Sequence, residues 1–563
     1  MTEFDRSLAG KISRTERWTA AGIFLIVFFL RAIYAAHYRI DSDEPQHLHV
    51  VWAWTQGMIP YHDVFDNHSP LFQALCAPLF QLLGERADII IPMRLAMIPL
   101  FGSSVFLVGK ITTTVFSPRV GLRAAVFAAV WPRFFFVSTE FRPDDLWALV
   151  WLAVLFTAVG GRMTLRRSFI VGLLVGISFC VSMKTVLMVV SMGLATLLVL
   201  ILQVLAERRA PWIHLLSAAG VVAVGTLVFP TLVILFFASR GALDRMYYCV
   251  ITYNIPPVPT APAFYLFHAL KWFALLIVPL AVGVFLFHRS GHDPRKKRGI
   301  WIFLVTFLYY ISLKSFWPIL TNEDYLPSDP LFMVLLAYAV SYIPVARFGS
   351  FSGGYSTLPA ILVLVGLCCI VASEFPLRNM TEDKIGMVST VLRLTNPSEY
   401  VMDSKGETIY RRRPFYYVLE GLTRLRLKEG LIKDTISEGL IAHQTPVATI
   451  RRMPSEAAAF IRTNYLPIAF RLSVLGKMLQ QAGESFPLDI VIPSEYTIVT
   501  EFGTFAGTLN GEPFIGPRQL VSGHYQVCRT NGSGRLAVIW SRALEKGYSP
   551  FAQLKADKWT AQD

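Results

Sequence analysis

The chain has 563 residues, a formal net charge of +14 and a composition that is 54% hydrophobic but only 16% charged, with a mean hydropathy of +0.49. Soluble domains carry about 25% charged residues, so a soluble globular protein is excluded and a polytopic α-helical membrane protein in contact with membrane lipid is expected. The excess Lys and Arg lie in short loops between apolar runs, where orientation and lipid contact account for them. No basic groove or reading module is present, so no nucleic-acid partner is expected.

Apolar runs fall near 18–37, 88–109, 120–139, 146–160, 168–183, 186–205, 212–239, 264–287, 300–313, 331–345 and 357–373. Their lengths predict about eleven spans, with the third interrupted by Trp131-Pro132-Arg133. The first run leads into acidic, His-rich sequence with no small-residue cleavage site, as in an uncleaved anchor. The six cysteines lack metal-ligand spacing, and Cys368 and Cys369, inside an apolar run, read as buried apolar residues.

Loop charge sets the orientation. Arg6, Lys11, Arg14 and Arg17, then Lys110, Arg119 and Arg123, then Arg162, Arg166, Arg167, Arg208 and Arg209, and finally the Arg289–Arg298 stretch all fall on one side. The opposite loops hold fewer, which predicts a cytoplasmic N-terminus. Three acidic groups then fall on the outer face: Asp41, Asp43 and Glu44; Glu140, Asp144 and Asp145; and Glu323, Asp324 and Asp329. Carboxylates beside a bilayer are costly to desolvate, so their gathering on one aqueous face points to chemistry.

The tail after residue 374 is mixed in pattern and, with an odd span count, extracytoplasmic. Glu399–Asp403 and Pro446–Ile450 read as short strands, and Pro454 opens a helix. From about 488, alternation around Tyr496–Thr500 and the Asn510-Gly511 turn signal predict a small β-rich domain. The expected organisation is a transmembrane domain over 1–373, an α/β domain over 374–487 and a β-domain over 488–563. The first outer loop, about 38–87, is too long for a simple connection. Its stretch 45–56 reads as an amphipathic interfacial helix anchored by Trp52 and Trp54. His47, His49 and His68 read either as interfacial polar residues or as ligands.

Asp43-Glu44-Pro45 after the first span, Gly57-x-x-Pro60-Tyr61 and Ser69-Pro70-Leu71 resemble the GT-C superfamily of membrane glycosyltransferases, in particular protein O-mannosyltransferases and the lipid A aminoarabinose transferase. Arg94, then Phe141-Arg142-Pro143-Asp144-Asp145-Leu146-Trp147, resemble the second family region. Lys314 with Tyr325-Leu326-Pro327-Ser328-Asp329-Pro330 is similar to its lipid-carrier loop. The resemblance covers roughly 18–345 and implies a GT-C-like fold. Its first-loop catalytic aspartate matches Asp43, with Glu44 beside it, and its second acidic position matches Asp145, with Asp144 adjacent. Asn67-His68-Ser69-Pro70 departs from a Glu-Lys-Pro-Pro in the aminoarabinose transferase, so His68 stands where that family carries a lysine.

The resemblance implies a sugar donor linked to polyprenyl phosphate and a glycan, lipid or protein acceptor, in the inner (plasma) membrane of a bacterium with the tail periplasmic. Such a donor already has a good leaving group, so the acceptor hydroxyl needs a general base, a role contributing about 10²–10⁴-fold. Asp43 is assigned that role, with inversion at the anomeric carbon, rather than the carboxylate pair of retaining hydrolases. Charge on the departing phosphate is to be met by Arg142, Arg245 or Lys314, each of which also reads as a lipid-headgroup anchor. Asp43, Glu44 and Asp145 suit either a metal-free site or a divalent ion such as Mg or Mn. Asp144 reads either as a substrate contact or as a helix N-cap. A transporter or flippase, expected to show repeated halves, and a non-enzymatic anchor for the tail are the alternative functions.

Overall fold

The structure, a computed structural model, describes residues 12–207, 212–255, 257, 262–291, 293–317, 319–342, 358–479 and 484–551. Arg6, Lys11, Arg208 and Arg209 of the orientation argument lie outside them. The chain divides into two compact units: Met1–Arg39, Asp66–Cys76 and Ile91–Asn379 form one, and Ile40–Phe65, Ala77–Ile90 and Met380–Asp563 the other. The first outer loop is therefore shared between units, most of it joining the tail.

The first unit is helical. The described residues of each of the eleven apolar runs fall mainly on helix, from Arg14–His37 to Leu358–Ser373, while 343–345 and 357 lie outside the described residues. Among the described residues five helices are long and apolar enough to cross a membrane: Arg14–His37, Ile90–Val115, Thr185–Ala206, His214–Ser239 and Pro294–Phe316. The run over 120–139 is broken as its proline requires, into Pro118–Ala129 and Pro132–Val137. Many large apolar side chains on these helices, among them Leu25, Phe29, Leu197, Leu227 and Leu235, are exposed, where lipid rather than water suits them. Cys368 and Cys369 follow that pattern: the expectation of burial is corrected, because only Val363, Gly366 and Ile370 of helix Leu358–Ser373 are buried and both cysteines are exposed.

Helices Leu165–Val181 and Trp212–Ser239 meet through glycine, in the small-xxx-small pattern Gly172-x-x-x-Gly176. A Cβ on Gly172 would lie 2.2 Å from the Val222 carbonyl oxygen, one on Gly176 2.5 Å from that of Thr226, and one on Gly225 2.6 Å from that of Phe169. These backbones touch because no side chain separates them.

The second unit is built on one nine-stranded sheet. The strands are β1 (Val401–Met402), β2 (Val447–Ala448), β3 (Tyr465–Ala469), β4 (Leu472–Leu479), β5 (Ser485–Ile490), β6 (Ser494–Leu509), β7 (Glu512–Pro513), β8 (Arg518–Leu520) and β9 (Gly523–Trp540). The main path runs β1-β2-β4-β9-β6-β7, with β3 on β4, β5 on β9 and β8 on β6. The path joins strands from both sides of residue 487. β1 and β2 pair in parallel, Val401 with Val447. The long β6–β9 ribbon carries the alternation seen at Tyr496–Thr500, and its β6–β7 turn holds Asn510 and Gly511 at φ 53° and 82°, the left-handed pair that an Asn-Gly turn supplies. Helix Ser455–Asn464 starts at Pro454 as expected.

One first-loop expectation is corrected. Helix Asp43–Thr55 is buried at ten consecutive residues, Glu44 to Ala53, so it is packed within protein rather than lying amphipathically at an interface, and Trp52, 4% exposed, is not a headgroup anchor.

Replacing Gly172 by Val forces the two helices apart and should destabilise the protein by about 1–3 kcal/mol, the usual cost of overpacking. Thermal unfolding in detergent reads this as a lowered midpoint, and an unchanged midpoint would refute the close crossing.

Candidate active site

The acidic groups singled out in the sequence fall in both units, Asp41, Asp43 and Glu44 in the sheet-containing one and the others in the helical one. In the helical unit, Pro143 opens helix Pro143–Val159 with its ring-fixed φ, and Arg142, not Asp144, occupies the N-cap position with extended backbone (φ −142°, ψ 153°). Asp144 and Asp145 sit in the first turn, where the helix dipole favours anions. The cap reading of Asp144 is thus corrected: its carboxylate is held by side chains, 3.5 Å from Arg142 Nε and 3.7 Å from Lys184 Nζ.

Arg142 is the hub of this cluster. Its guanidinium pairs with Glu323 and lies 3.6 Å from Glu140, whose other cationic neighbour is Arg39 at 3.6 Å. Lys184 pairs with Asp324 as well as Asp144. Burial works against the Lys184 charge, but Asp324 and Asp144 outweigh it and hold the ammonium above the usual lysine range. Burial raises Glu323, and Arg142 opposes that rise. Arg142 is 5% exposed, Asp144 6% and Glu140 3%, so these charges survive out of water by mutual pairing.

Asp145 is buried in the same turn, interacts electrostatically with Arg31, and has one carboxylate oxygen with no hydrogen-bond partner among the described residues. Arg31 itself donates to the Phe135 carbonyl and Ser138 Oγ, each at 2.8 Å, and lies 4.1 Å from the Phe101 ring centre. Arg94 donates to the Tyr38 and Arg39 carbonyls at 2.8 and 2.7 Å, capping the end of the first helix.

The late loop makes a second group in this unit. Arg133 grips Asp329 through two guanidinium nitrogens, one at 2.7 Å, and lies over the Tyr325 ring at 4.3 Å. Lys314 lies 5.1 Å from the Tyr310 ring centre and 5.9 Å from that of Tyr325. Among the described residues its partners are these two phenols rather than a carboxylate. Arg245 is exposed on the short helix Leu243–Tyr247. His68 is oriented by Asp66, whose Oδ1 is 2.9 Å from Nδ1 and also accepts the His68 backbone N–H at 3.1 Å. Asp66, fully buried, is a partner that the sequence reading did not single out.

In the sheet-containing unit, Asp43 stands at the first position of helix Asp43–Thr55. The Asp41 carboxylate accepts the Asp43 backbone N–H at 3.0 Å, and the Glu44 carboxylate accepts that of Asp41 at 2.8 Å. Glu44 is fully buried and so serves the loop backbone. The Asp43 carboxylate is ion-paired with Lys405, whose ammonium also lies 3.9 Å from Glu420. Asp43's side chain is 22% exposed and that of Lys405 6%, so the acid can meet a substrate while its cation is enclosed. Sequence reasoning missed Lys405: it lies 362 residues away in the tail, and an isolated Asp-Ser-Lys-Gly carries no spacing signal. His49 Nδ1 donates to the Ile409 carbonyl at 2.8 Å, which ties the same helix to the tail. No group of three or more His, Cys, Asp or Glu that could hold a metal ion occurs among the described residues.

Removing Arg142 leaves buried Glu140 and Asp144 and part-buried Glu323 without their guanidinium, so Arg142→Ala should cost about 3–5 kcal/mol of stability, measured by thermal unfolding in detergent; a change of a few tenths would contradict the hub. Lys384, which donates to the Ile40 carbonyl at 2.7 Å beside the Asp41–Glu44 segment, is pushed down to about 8 by burial, against Glu407, Glu44 and Asp41. Between that pH and the ordinary lysine value of 10.5 the unfolded chain binds the extra proton, so this group makes stability rise with pH across the interval. Lys384→Met should remove that rise when unfolding midpoints are compared across the interval; an identical pH dependence would refute it.

Residues 67–238 match the sequence model of the family described as dolichyl-phosphate-mannose-protein mannosyltransferase. No curated protein matches the chain. Among solved structures, ArnT from Cupriavidus metallidurans in the apo state is 13% identical, with 82% of this chain and 98% of that chain covered and a TM-score of 0.54. The same protein bound to undecaprenyl phosphate is 14% identical, with 81% and 97% covered and a TM-score of 0.49. The Archaeoglobus fulgidus oligosaccharyltransferase in the apo form is 11% identical, with 81% and 73% covered and a TM-score of 0.41. The apo ArnT match shows a shared fold over most of both chains, and residues 67–238 carry the sequence pattern of the mannosyltransferase family.

Proposed function

We propose that the protein transfers a sugar from a polyprenyl-phosphate carrier to a glycan, lipid or protein acceptor on the extracytoplasmic face of a bacterial inner membrane, with its N-terminus cytoplasmic. The observation that carries the reading is the ion-paired, part-exposed Asp43 carboxylate at the start of helix Asp43–Thr55. A glycosyl phosphate needs little help to leave, so the acceptor oxygen needs a base within hydrogen-bond reach. Asp43 takes the proton from the acceptor hydroxyl as its oxygen attacks the anomeric carbon from the face opposite the phosphate. The C–O bond to phosphate breaks with its electron pair, and the anomeric configuration inverts.

Lys405 holds the Asp43 carboxylate in place by ion pairing. Glu420 shares the same ammonium at 3.9 Å. Glu44 shapes the loop by accepting the Asp41 N–H. In the helical unit Lys314, whose partners among the described residues are phenols, is the cation best suited to the carrier phosphate, and Tyr325 accompanies it. His68, oriented by Asp66, and exposed Arg245 are further candidates for that phosphate. Arg142 and Asp144 hold one another and their neighbours, and Asp145 balances Arg31, so these three support the outer helix ends in this reading. A donor of this class is in keeping with the description of the matching family, which names a dolichyl-phosphate sugar. The transporter and anchor alternatives find no support in an enzyme-family match.

The test is turnover of radiolabelled undecaprenyl-phosphate sugars by purified full-length protein. Asp43→Asn should lower transfer by about 10²–10⁴-fold with expression and membrane insertion intact. Transfer at the unmodified rate in that variant would remove Asp43 as the base.

A further inference from the structure

The sheet-containing unit encloses a cavity of about 430 Å³ to which neither the Asp43 ion pair nor the carrier chemistry contributes. Its walls come from the later turns of helix Asp43–Thr55, the Gln56–Phe65 segment and the tail around Arg412–Tyr416 and His443. The volume lies in the range of small-molecule sites and suits one or two sugar rings.

The charges on the wall are unevenly committed. Arg413 is spent on Asp403, with Nε 3.0 Å from Oδ1. Asp63 is spent on the Ile59 backbone N–H at 2.8 Å and on His62 at 2.7 Å. Arg412 senses Asp63 electrostatically but forms no ion pair among the described residues, and it is exposed. A guanidinium fork so placed receives a carboxylate or phosphate through two parallel hydrogen bonds.

The remaining wall is aromatic. Tyr400 and His443 stack at 4.0 Å with planes 15° apart, a flat platform whose negative faces attract the slightly positive C–H groups of a pyranose. Trp52 is 4% exposed, lines the same cavity, and its indole N–H has no acceptor among the described residues. A buried donor without an acceptor costs stability until a ligand or water satisfies it. A hydroxyl-bearing ligand supplies that acceptor.

We propose that this cavity binds an anionic carbohydrate, a sugar bearing a carboxylate or phosphate, with Arg412 on the acidic group and the Tyr400–His443 platform under the ring. As the acceptor glycan of the transfer reaction it would deepen the glycosyltransferase reading above, on which only that acceptor role rests; the binding itself does not depend on it.

Saturation-transfer NMR on the full-length protein in detergent micelles, with digalacturonate, glucose 1-phosphate and neutral maltose as probes, tests this. At least one of the two acidic probes should bind, and maltose should bind roughly tenfold more weakly or not at all. Arg412→Gln, at an exposed position, should weaken the acidic probe roughly tenfold, and Tyr400→Ala should weaken acidic and neutral probes alike. Asp43→Asn should leave probe binding unchanged even where transfer is lost, which separates this inference from the catalytic one. Absence of binding by both acidic probes, or equal binding in Arg412→Gln, would overturn it. So would an equal response from tetraglutamate, which would make the cavity a general anion site.

Discussion

An ionised side chain taken out of water has to meet an opposite charge or a full set of hydrogen bonds, and this requirement organises both units of the protein. In the helical unit, Arg142 and Lys184 knit Glu140, Asp144, Glu323 and Asp324 into one network at helix ends. The network draws on three separated stretches of chain, so forming it fixes the loops that join the helices. In the sheet-containing unit, Lys405 does the same for Asp43, bringing a tail residue to the start of the first-loop helix. Backbone groups follow the same rule: Arg94 donates to the Tyr38 and Arg39 carbonyls just past the end of the first helix.

Pairing also sorts the charges by what remains open for chemistry. Carboxylates and cations that saturate one another, such as Arg142 with its three acids, are costly to recruit for a substrate. Asp43 keeps part of its surface accessible despite its ion pair, and among the described residues Lys314 is held by phenols and Arg412 has no ion pair. The groups with catalytic and binding roles in the reading offered above are those whose local pairing is incomplete. Selecting them needed the contacts, because residue type is the same in both sets.

Much of the architecture was legible in the sequence. Apolar runs long enough for a bilayer became helices because a backbone in lipid must satisfy its own hydrogen bonds, and Trp131-Pro132 broke its run where proline removes a donor. The Asn510-Gly511 turn and the alternation at Tyr496–Thr500 likewise carried through to β6 and its turn, since both signals are local. Periodicity failed for helix Asp43–Thr55: its polar residues suggested an exposed face, yet Gln46, His47 and His49 are all buried. Cys368 and Cys369 erred the other way, since an apolar residue in a lipid-facing helix is exposed by protein packing alone.

The sequence by itself determined the class of protein, the helical runs and the identity of the acidic motifs, because hydropathy, proline and glycine act over a few neighbouring residues. Which carboxylate stays accessible, which cation holds it, and where a sugar-sized cavity forms were decided only by tertiary structure. Lys405 meets Asp43 across 362 residues, Glu323 meets Arg142 across 181, and Tyr400 stacks on His443. Electrostatic pairing and desolvation depend on distances in space, and no spacing along the chain encodes them.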